Sequence, residues 1–465
     1  MHEDTEEITE LILEAGRKAR EATGDQPEPR QKDKIDWPLQ CSVGPGLEGA
    51  IACESEVGYV NGSKGRLVYQ GYDVFELAAH STFEEVCYLL LHGELPTASE
   101  YEEFKQELAE RRHMPNVLRH MMSFPLEDMN IMAALRLGTD LMRREYTVME
   151  REAGRPDPTE ALQADEDSIP METEPTGEPH AIYEFNALER ARKRDLDDAS
   201  ENACSIESCY HLISGLSTLA AAAYRVQRGK MPVDPDPELS HAGNYIYMMT
   251  GRKPTPVEER IMDVALILHA DHGMNASTFA TLVVASTLSD IYFSIGAGVA
   301  ALNGPLHGGA NEHVIYTLKE IGSPDNVDEW FAQAREEGRK IPGFGHRVYK
   351  THDPRARILA PLAQCLSEGK ETGPLYDTAQ ALQEAVLSGF GREKGIFPNV
   401  DFYSGLVYYT MGMSPAMFTP TFAVSRVAGW TARVIEYLRQ NRIFRPRATY
   451  VGGFGAEYVP IEERE

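Results

Sequence analysis

The chain is organised around residues 304–311, GPLHGGAN, which close a long apolar segment at 278–302 and open a new helix. Glycine and proline at 304–305 are expected to stop the first helix, and a second helix is predicted from residue 312 onward. His307 then lies at or near a helix N-terminus, where the helix dipole disfavours imidazolium. The sequence therefore predicts a neutral, hydrogen-bond-donating imidazole. Gly308 and Gly309 beside it leave room for a ligand to approach the backbone.

Composition sets the class of protein. A chain of 465 residues that is 42% hydrophobic can bury a sizeable core and form two domains, or one large domain with a subdomain. No apolar run of membrane-spanning length occurs, and the acidic N-terminus has no signal-peptide pattern, so we expect a cytoplasmic protein without a membrane span. The six cysteines are scattered without metal-binding spacing, which indicates reduced, structural thiols.

The net charge of -27 argues against nucleic acid as a partner, because phosphate binding requires a basic surface. Two explanations for this acidity remain open. The chain can belong to an organism with high internal salt, where screening makes acidity tolerable, or it can be an ordinary acidic protein with one very acidic insertion. In either case, if the substrates are anions, basic side chains at the binding site must outweigh the negative potential of the whole protein.

The order of elements indicates a mainly α fold. Residues 1–40 have the composition of a polar tail that contains a helix at 6–20. GPGLEG at 44–49 matches the dinucleotide-binding pattern, but no strand precedes it and no helix follows it. Strands at 51–60 and 66–69 around an Asn-Gly turn predict a small β-hairpin instead. From residue 74 the apolar spacing is helical almost throughout. Residues 148–203 are rich in Asp, Glu and Pro, which predicts an acidic, partly disordered surface insertion.

Two further glycine- or proline-bounded loops carry titratable side chains. Residues 341–355 contain His346, and residues 397–405 contain Asp401. Together with His307 they supply two imidazoles and one carboxylate at the ends of elements, where functional residues concentrate.

Arginines follow these loops at Arg355, Arg426 and Arg445, and several guanidinium forks suit a di- or tricarboxylate substrate. A His-x-x-His pair at 269–272 has no third ligand nearby, so no metal site is predicted.

These motifs resemble the citrate synthase family. The matching stretches are residues 65–72, 304–311, 343–346, 353–355, 399–401, 425–426 and 445–447. The similarity runs from about residue 44 to the C-terminus, and the acidic insertion interrupts it. The resemblance implies a two-domain helical fold with a large domain at 41–308 and a small domain at 309–412. Residues 413–465 would return to the large domain and cross a dimer interface. The family works as a homodimer or a multiple of dimers.

The resemblance also implies a reaction, in which acetyl-CoA condenses with oxaloacetate and citryl-CoA is hydrolysed to citrate and CoA, the entry step of the tricarboxylic acid cycle. Asp401 would be the base, and His307 would donate to the thioester oxygen. His346 would polarise the ketone of oxaloacetate and protonate the alkoxide. No metal or redox cofactor is required, and allosteric control is expected.

The binding residues implied by the resemblance form two sets. Those that match oxaloacetate-binding positions are His272, Arg355, Arg426 and Arg445, the last supplied by the neighbouring subunit. Those assigned to coenzyme A are Gly343, Phe344, Lys350 and Asn399.

Two alternatives remain open. A 2-methylcitrate synthase uses propionyl-CoA with the same three catalytic residues, and one extra methyl group requires only a little pocket space. Leu306 and the Asp-Pro-Arg sequence at 353–355 favour the citrate branch. A non-catalytic regulatory homologue, with the insertion as its partner-binding element, is the alternative of another class, and the complete set of catalytic residues counts against it.

Overall fold

The computed structural model describes residues 5–23, 44–47, 49–152, 204–448, 451–452 and 459–464. Within these residues helices dominate and one small sheet is present, which confirms the mainly α fold class. Of the predicted insertion at 148–203, residues 153–203 lie outside the described part of the chain. The two-domain division predicted at residue 309 stays a prediction.

The N-terminal half of the described chain contains α1 (Thr5–Thr23), α2 (Val74–His80), α3 (Phe83–His92), α4 (Ala98–Arg111), α5 (Pro115–Met121), α6 (Ile131–Glu152), α7 (Ile206–Gln227), α8 (His241–Thr250) and α9 (Pro256–His269). The remainder contains α10 (Ala276–Ala285), α11 (Ile291–Leu302), α12 (Ala310–Ile321), α13 (Val327–Glu336), α14 (Pro354–Ser367), α15 (Gly373–Val386), α16 (Arg392–Lys394), α17 (Val400–Thr410) and α18 (Phe418–Leu438).

Three short antiparallel strands form the sheet, in the order β1 (Gly58–Asn61), β2 (Arg66–Tyr69) and β3 (Tyr72–Asp73). The predicted hairpin is therefore present, although its first strand is much shorter than the predicted span of residues 51–60. The turn is set by Asn61, whose side-chain oxygen accepts hydrogen bonds from the backbone N–H groups of Ser63 (3.2 Å) and Lys64 (3.0 Å). In such an Asx turn the side-chain oxygen takes the place of a backbone carbonyl and stabilises the turn between the two strands.

Helix α1 lies where the sequence predicted a helix within the N-terminal tail, at residues 6–20. The helix is amphipathic, and Ile8 and Ile12 on its apolar face are fully buried. This face packs against α2 and α14. The polar composition of the segment masked a narrow apolar stripe at helical spacing.

The apolar segment at 278–302 is also different from its prediction as one helix. It forms two helices, α10 and α11, which pack against each other. Leu288 between them has a positive φ of 62°, and Asp290 caps α11 by accepting hydrogen bonds from the N–H groups of Tyr292 (2.8 Å) and Phe293 (3.2 Å). Because both helices are apolar on most faces, hydrophobic periodicity alone gave no sign of the break.

Helix α18 is the centre of the larger group of packed helices. It is buried along almost its whole length and packs against α3, α7, α9, α10 and α11. Helices α12, α14, α15 and α17 pack against one another, and α12 also contacts α18. The start of α17 and the middle of α18 are thereby brought to the same region. Among the described residues, no helix combines the length and apolar character needed to cross a membrane.

Candidate active site

His307 lies in the tight turn between α11 and α12, two residues before the N-cap Gly309. Its backbone N–H donates to Gly304 (2.9 Å), and its Nε2 lies 2.9 Å from the hydroxyl of Ser277 and 3.3 Å from the backbone N–H of the same residue. Because that N–H can only donate, Nε2 is best assigned as the acceptor. The remaining proton then lies on Nδ1, where it is available to a ligand.

Burial, followed by the positive charge of Arg426, lowers the pKa of His307 to about 4. The imidazole is therefore neutral near pH 7, as the sequence predicted. Desolvation is the largest cause of this shift.

His346 lies in a loop that precedes α14 and is partly buried. Its Nδ1 accepts hydrogen bonds from the backbone N–H groups of Val348 (3.0 Å) and Tyr349 (3.2 Å), so the proton belongs on Nε2. Burial, and after it the charge of Arg355, lowers the pKa of His346 to about 4. This second imidazole is also neutral and presents one N–H donor.

Asp401 is the second residue of α17. The side chain of Asn399 caps this helix by accepting the backbone N–H of Asp401 (3.0 Å). Burial raises the pKa of the Asp401 carboxyl to about 7, and the charges of Arg355 and Arg426 oppose this rise. A carboxyl that titrates near neutral pH is suited to general base catalysis.

Arg355 is 2% exposed and forms a two-pronged pair with Asp353, with Nε at 3.0 Å and Nη2 at 2.8 Å from the carboxylate oxygens. Asp353 also caps α14 by accepting the backbone N–H of Arg355 (3.0 Å), and it accepts the N–H of Val400 (3.1 Å). One buried carboxylate therefore fixes an arginine and the start of the helix that carries Asp401.

Arg426 comes from α18 and is 1% exposed. Its Nε donates to the carbonyl of His269 (2.6 Å), its guanidinium lies over the ring of Phe422 at 4.7 Å, and its Nη2 has no hydrogen-bond partner among the described residues. Burial lowers the pKa of Arg426 to about 10, so the group is still charged at neutral pH. A buried cation with an unpaired donor is suited to binding an anionic oxygen.

His272 is brought next to the same loop. Its Nε2 lies 3.1 Å from the hydroxyl of Tyr349, and its ring centroid is 5.2 Å from that of His346. Burial, followed by Arg355, holds the pKa of His272 well below its usual range. The charge of Arg355 thus acts on His272, His346 and Asp401. The charge of Arg426 acts on His272, His307 and Asp401, which places these side chains around one centre.

The residues assigned to coenzyme A are partly brought together. Residues 343–345 pair with 397–399 through hydrogen bonds from the N–H of Gly345 to Phe397 (2.8 Å) and from the N–H of Asn399 to Gly343 (2.9 Å). The side chain of Asn399 also donates to Gly345 (2.9 Å). Gly343 has a positive φ of 79°, and an added Cβ would lie 2.8 Å from side chains on α12 and α17. Phe344 packs edge-on against Phe402.

Two predicted residues lie away from these contacts. Lys350 is exposed, and its Nζ donates to the carbonyl of Arg347 (3.3 Å). Arg445 is exposed in the segment after α18, and no contact among the described residues connects it with the other predicted site residues.

Three residues at the site were not assigned a role from the sequence. They are Ser277, which contacts His307; Tyr349, which contacts His272; and Asp353, which pairs with Arg355. The Oγ of Ser277 also lies 2.7 Å from Asn275 Oδ1 and accepts from Trp430 Nε1 (3.3 Å). An Asp-Pro pair is typical of a helix start, so Asp353 could have been found as a cap. The other two contacts join residues distant in sequence and left no such signal.

The His-x-x-His pair does not converge on a common point. His269 ends α9 and donates from Nδ1 to the carbonyl of Ala265 (2.7 Å), whereas His272 faces Tyr349. Within the described residues, no group of three or more His, Cys, Asp or Glu side chains is placed to hold a metal ion. The site thus combines two neutral imidazole donors, a carboxyl that titrates near pH 7 and two buried arginines.

The chain was compared with known protein families. A family model described as citrate synthase, C-terminal domain, matches residues 46–447. A citrate synthase of Haloferax volcanii is 37% identical over 421 residues, which is 90% of this chain and 98% of that protein. A citrate synthase of Deinococcus radiodurans is 38% identical over 424 residues, or 91% of this chain and 100% of that protein.

Solved structures give the same result. A citrate synthase from Thermotoga maritima superposes with a TM-score of 0.71 at 38% identity and covers 91% of this chain and 100% of its own. A structure from Thermoplasma acidophilum, described as a ternary complex of citrate synthase with carboxymethyl coenzyme A and oxaloacetate, has a TM-score of 0.74 at 34% identity. It covers 91% of this chain and 100% of its own.

Proposed function

The chain belongs to the citrate synthase family, and on this premise we propose that it condenses acetyl-CoA with oxaloacetate and hydrolyses citryl-CoA to citrate and CoA. The observation that carries the proposal is the combination of three pKa shifts at one site. The pKa of Asp401 is raised to about 7, and those of His307 and His346 are lowered to about 4. The condensation needs one ionised base and two neutral hydrogen-bond donors at the same pH, and these shifts supply them.

Asp401 is the base that removes a proton from the methyl carbon of acetyl-CoA. His307 donates its Nδ1–H to the thioester oxygen as negative charge develops there. This role agrees with the contact of Ser277 at Nε2, which leaves Nδ1 to the substrate. A neutral imidazole N–H of this kind stabilises an enol or enolate by donating a hydrogen bond to its oxygen.

His346 donates its Nε2–H to the ketone oxygen of oxaloacetate and protonates the alkoxide after the carbon–carbon bond forms. The two backbone N–H groups at its Nδ1 hold the required tautomer. His272, Arg355 and Arg426 bind the carboxylates of oxaloacetate. The free Nη2 of Arg426 supports this role because it is a buried, charged donor without a protein acceptor among the described residues.

Coenzyme A binds along the loop at 343–345 and the segment at 397–399 that pairs with it. Gly343 and Phe344 face the adenine, Asn399 holds the loop in place, and Lys350 meets a phosphate. The support for this part is the paired backbone of the two segments and the exposure of Lys350. A flexible ammonium group can reach a phosphate as a point charge.

The proposal also covers the oligomeric state, the cellular location and the metabolic role of the protein. The protein acts as a homodimer or a multiple of dimers, and Arg445 of the neighbouring subunit completes each oxaloacetate site. The exposure of Arg445 on its own chain supports this arrangement. The reaction needs no metal or redox cofactor, since acid–base groups carry each step. Cytoplasmic location, the entry step of the tricarboxylic acid cycle and allosteric control complete the proposal.

The test is release of free thiol with oxaloacetate and either acetyl-CoA or propionyl-CoA. We expect a higher kcat/KM with acetyl-CoA. In Asp401→Ala we expect a loss of about 100- to 10,000-fold, the range that a general base contributes. Asp377→Ala removes an exposed carboxylate on α15 and is the matched control, which should behave like the wild type.

Each other outcome is informative. Preference for propionyl-CoA would move the protein to the 2-methylcitrate branch with the same mechanism. Thiol release that survives in Asp401→Ala would refute the assignment of the base. No release from either thioester by a folded dimer would refute the catalytic proposal as a whole.

A further inference from the structure

Two cysteines flank the beginning of α7. Ser205 is the N-cap of this helix, since its side chain accepts the backbone N–H of Ser208 (3.2 Å). Cys204 is the residue before the cap, and Cys209 is the fourth residue of the helix. Side chains at these two positions contact each other in many helices, where they form a hydrophobic staple that fixes the direction of the entering chain.

In this protein both staple residues are thiols, and their sulfur atoms lie 3.7 Å apart. Both cysteines are free. A disulfide requires about 2.05 Å between the sulfurs, so they must approach by roughly 1.7 Å. Cys204 lies outside the helix, where its side chain is not restricted by a preceding helical turn. Rotation about its own bonds can therefore supply much of this approach.

The two thiols differ in accessibility. Cys204 is partly exposed, whereas Cys209 is fully buried. Burial raises the pKa of the Cys209 thiol well above its usual value, and the neighbouring Cys204 adds to this rise. A buried thiol that resists ionisation is a poor first nucleophile. The partly exposed Cys204 is thus the residue that meets an oxidant, and Cys209 is placed to resolve the product.

We infer that Cys204 and Cys209 form a reversible disulfide, made with a low-molecular-weight disulfide as oxidant, at the point where residues 153–203 join α7. The catalytic assignments do not enter this inference, because neither cysteine contacts the candidate active site among the described residues.

The chemistry balances in two exchange steps. The thiolate of Cys204 attacks one sulfur of the oxidant RSSR, which forms a Cys204–S–S–R bond and releases RS⁻. The thiolate of Cys209 then attacks the sulfur of Cys204, which forms the protein disulfide and releases a second RS⁻. Two protein thiols are oxidised, one disulfide is reduced to two thiols, and the two cysteine protons pass to the leaving thiolates.

The other described cysteines lack this arrangement. Cys53, Cys87 and Cys365 are free, and none of them has a sulfur contact with another cysteine among the described residues. Cys41 lies outside the described part of the chain. Cys53 is partly buried, like Cys204, and is the matched control for reaction at a single accessible thiol.

The experiment treats the full-length protein with 2-hydroxyethyl disulfide, blocks the remaining thiols by alkylation under denaturing conditions and maps the tryptic peptides. Trypsin releases both cysteines in one peptide, residues 195–225, because no lysine or arginine lies between Arg194 and Arg225. We expect this peptide to be unalkylated and about 2 Da lighter than its reduced form. Dithiothreitol should restore two alkylation sites.

Single variants separate the two steps. In Cys209→Ser the mixed disulfide should be trapped on Cys204, whereas in Cys204→Ser the buried Cys209 should stay unmodified in the folded protein. Cys53→Ser should behave like the wild type, and circular dichroism should verify that each variant is folded. A stable adduct on Cys204 of the wild type, or an unreacted pair at full oxidation of a reference dithiol, would overturn the proposal.

Discussion

Replacement of Asp353 by asparagine tests how the site is held together. The buried carboxylate of Asp353 accepts four hydrogen bonds, namely the Nε, Nη2 and backbone N–H of Arg355 and the backbone N–H of Val400. Asparagine keeps one oxygen, which can still cap α14 and accept from Nε. It presents an NH2 group where Oδ2 stood, so Nη2 and the N–H of Val400 would each face another donor.

The magnitude follows from these contacts. Removing one partner of a buried ion pair costs about 3–5 kcal/mol, because the other charge stays buried without compensation. The unfavourable contacts of the new NH2 group with Nη2 of Arg355 and the N–H of Val400 are already included in this range and are not added to it. We therefore expect a decrease of about 4 kcal/mol in the free energy of unfolding for Asp353→Asn. Asp353→Ala also removes the helix cap and should lose about 1 kcal/mol more.

The assay is urea unfolding at one protein concentration, with the shift in midpoint multiplied by the slope. Asp73→Asn is the matched control, since Asp73 caps α2 and pairs with Arg66 at 3.2 Å at a more exposed site. It should cost about 1 kcal/mol or less. Because Val400 precedes Asp401, kcat/KM of Asp353→Asn should also fall about 100-fold through misplacement of the base.

The effect of pH supplies a further check. Burial alone would raise the pKa of Asp353, but the charge of Arg355 lowers it overall. A lowered pKa contributes stability above the unfolded value of about 3.9, and this contribution is lost as the pH falls through the folded value. The difference between wild type and Asp353→Asn should be constant from about pH 5 to 8 and shrink below about pH 4. A variant with wild-type midpoint and activity at pH 7 would refute the reasoning.

Three further predictions concern the base, the N-terminal helix and the catalytic turn. Asp401 must be ionised to act as a base, and its pKa is raised to about 7. We therefore expect kcat/KM to fall about tenfold per pH unit below pH 7 and to level off above it. A pH profile that is flat from pH 5 to 8 would contradict this prediction. Ile12→Ala should lower the free energy of unfolding by about 2–4 kcal/mol, because Ile12 is fully buried. Glu10→Ala, on the exposed face of α1, is the control and should leave it unchanged. Equal stabilities of the two variants in urea unfolding would mean that α1 contributes nothing to stability. In Gly308→Ala the new Cβ would clash with the carbonyl oxygen of Leu302, so we expect a loss of about 1–3 kcal/mol in the free energy of unfolding and of most activity. Gly309→Ala, whose Cβ has its nearest neighbour at 4.0 Å, is the control. Similar thermal midpoints and activities for the two variants would refute the clash.

The sequence by itself determined the fold class and the family. The helical spacing from residue 74 onward predicted α2 and α3, and in the structure local contacts of Asp73, Thr82 and Gly93 cap these helices. The hairpin around Asn61 has the same character. These predictions succeeded because a turn or cap depends on residues within about four positions of each other.

Local patterns also misled in two places. Residues 278–302 are apolar on most faces, so periodicity could not locate the break near Leu288. Residues 5–23 have a polar average composition, which hid the buried stripe of Ile8 and Ile12. In both cases the deciding fact was the surface on which the helix packs, and this surface belongs to distant parts of the chain.

The sequence pointed to His307, His346 and Asp401 as chemistry-bearing residues and predicted a neutral His307. The burial and neighbouring charges that shift the three pKa values belong to the tertiary structure. Ser277 meets His307 across 30 residues, and Arg426 comes from the last long helix to lower its pKa. Asp353 joins Arg355 to the helix of Asp401 across 47 residues. Desolvation and Coulomb interactions depend on distance in space and on burial, which a linear pattern does not contain. The sequence therefore specifies which functional group stands at each position, and the packing of the folded chain sets the pKa of that group.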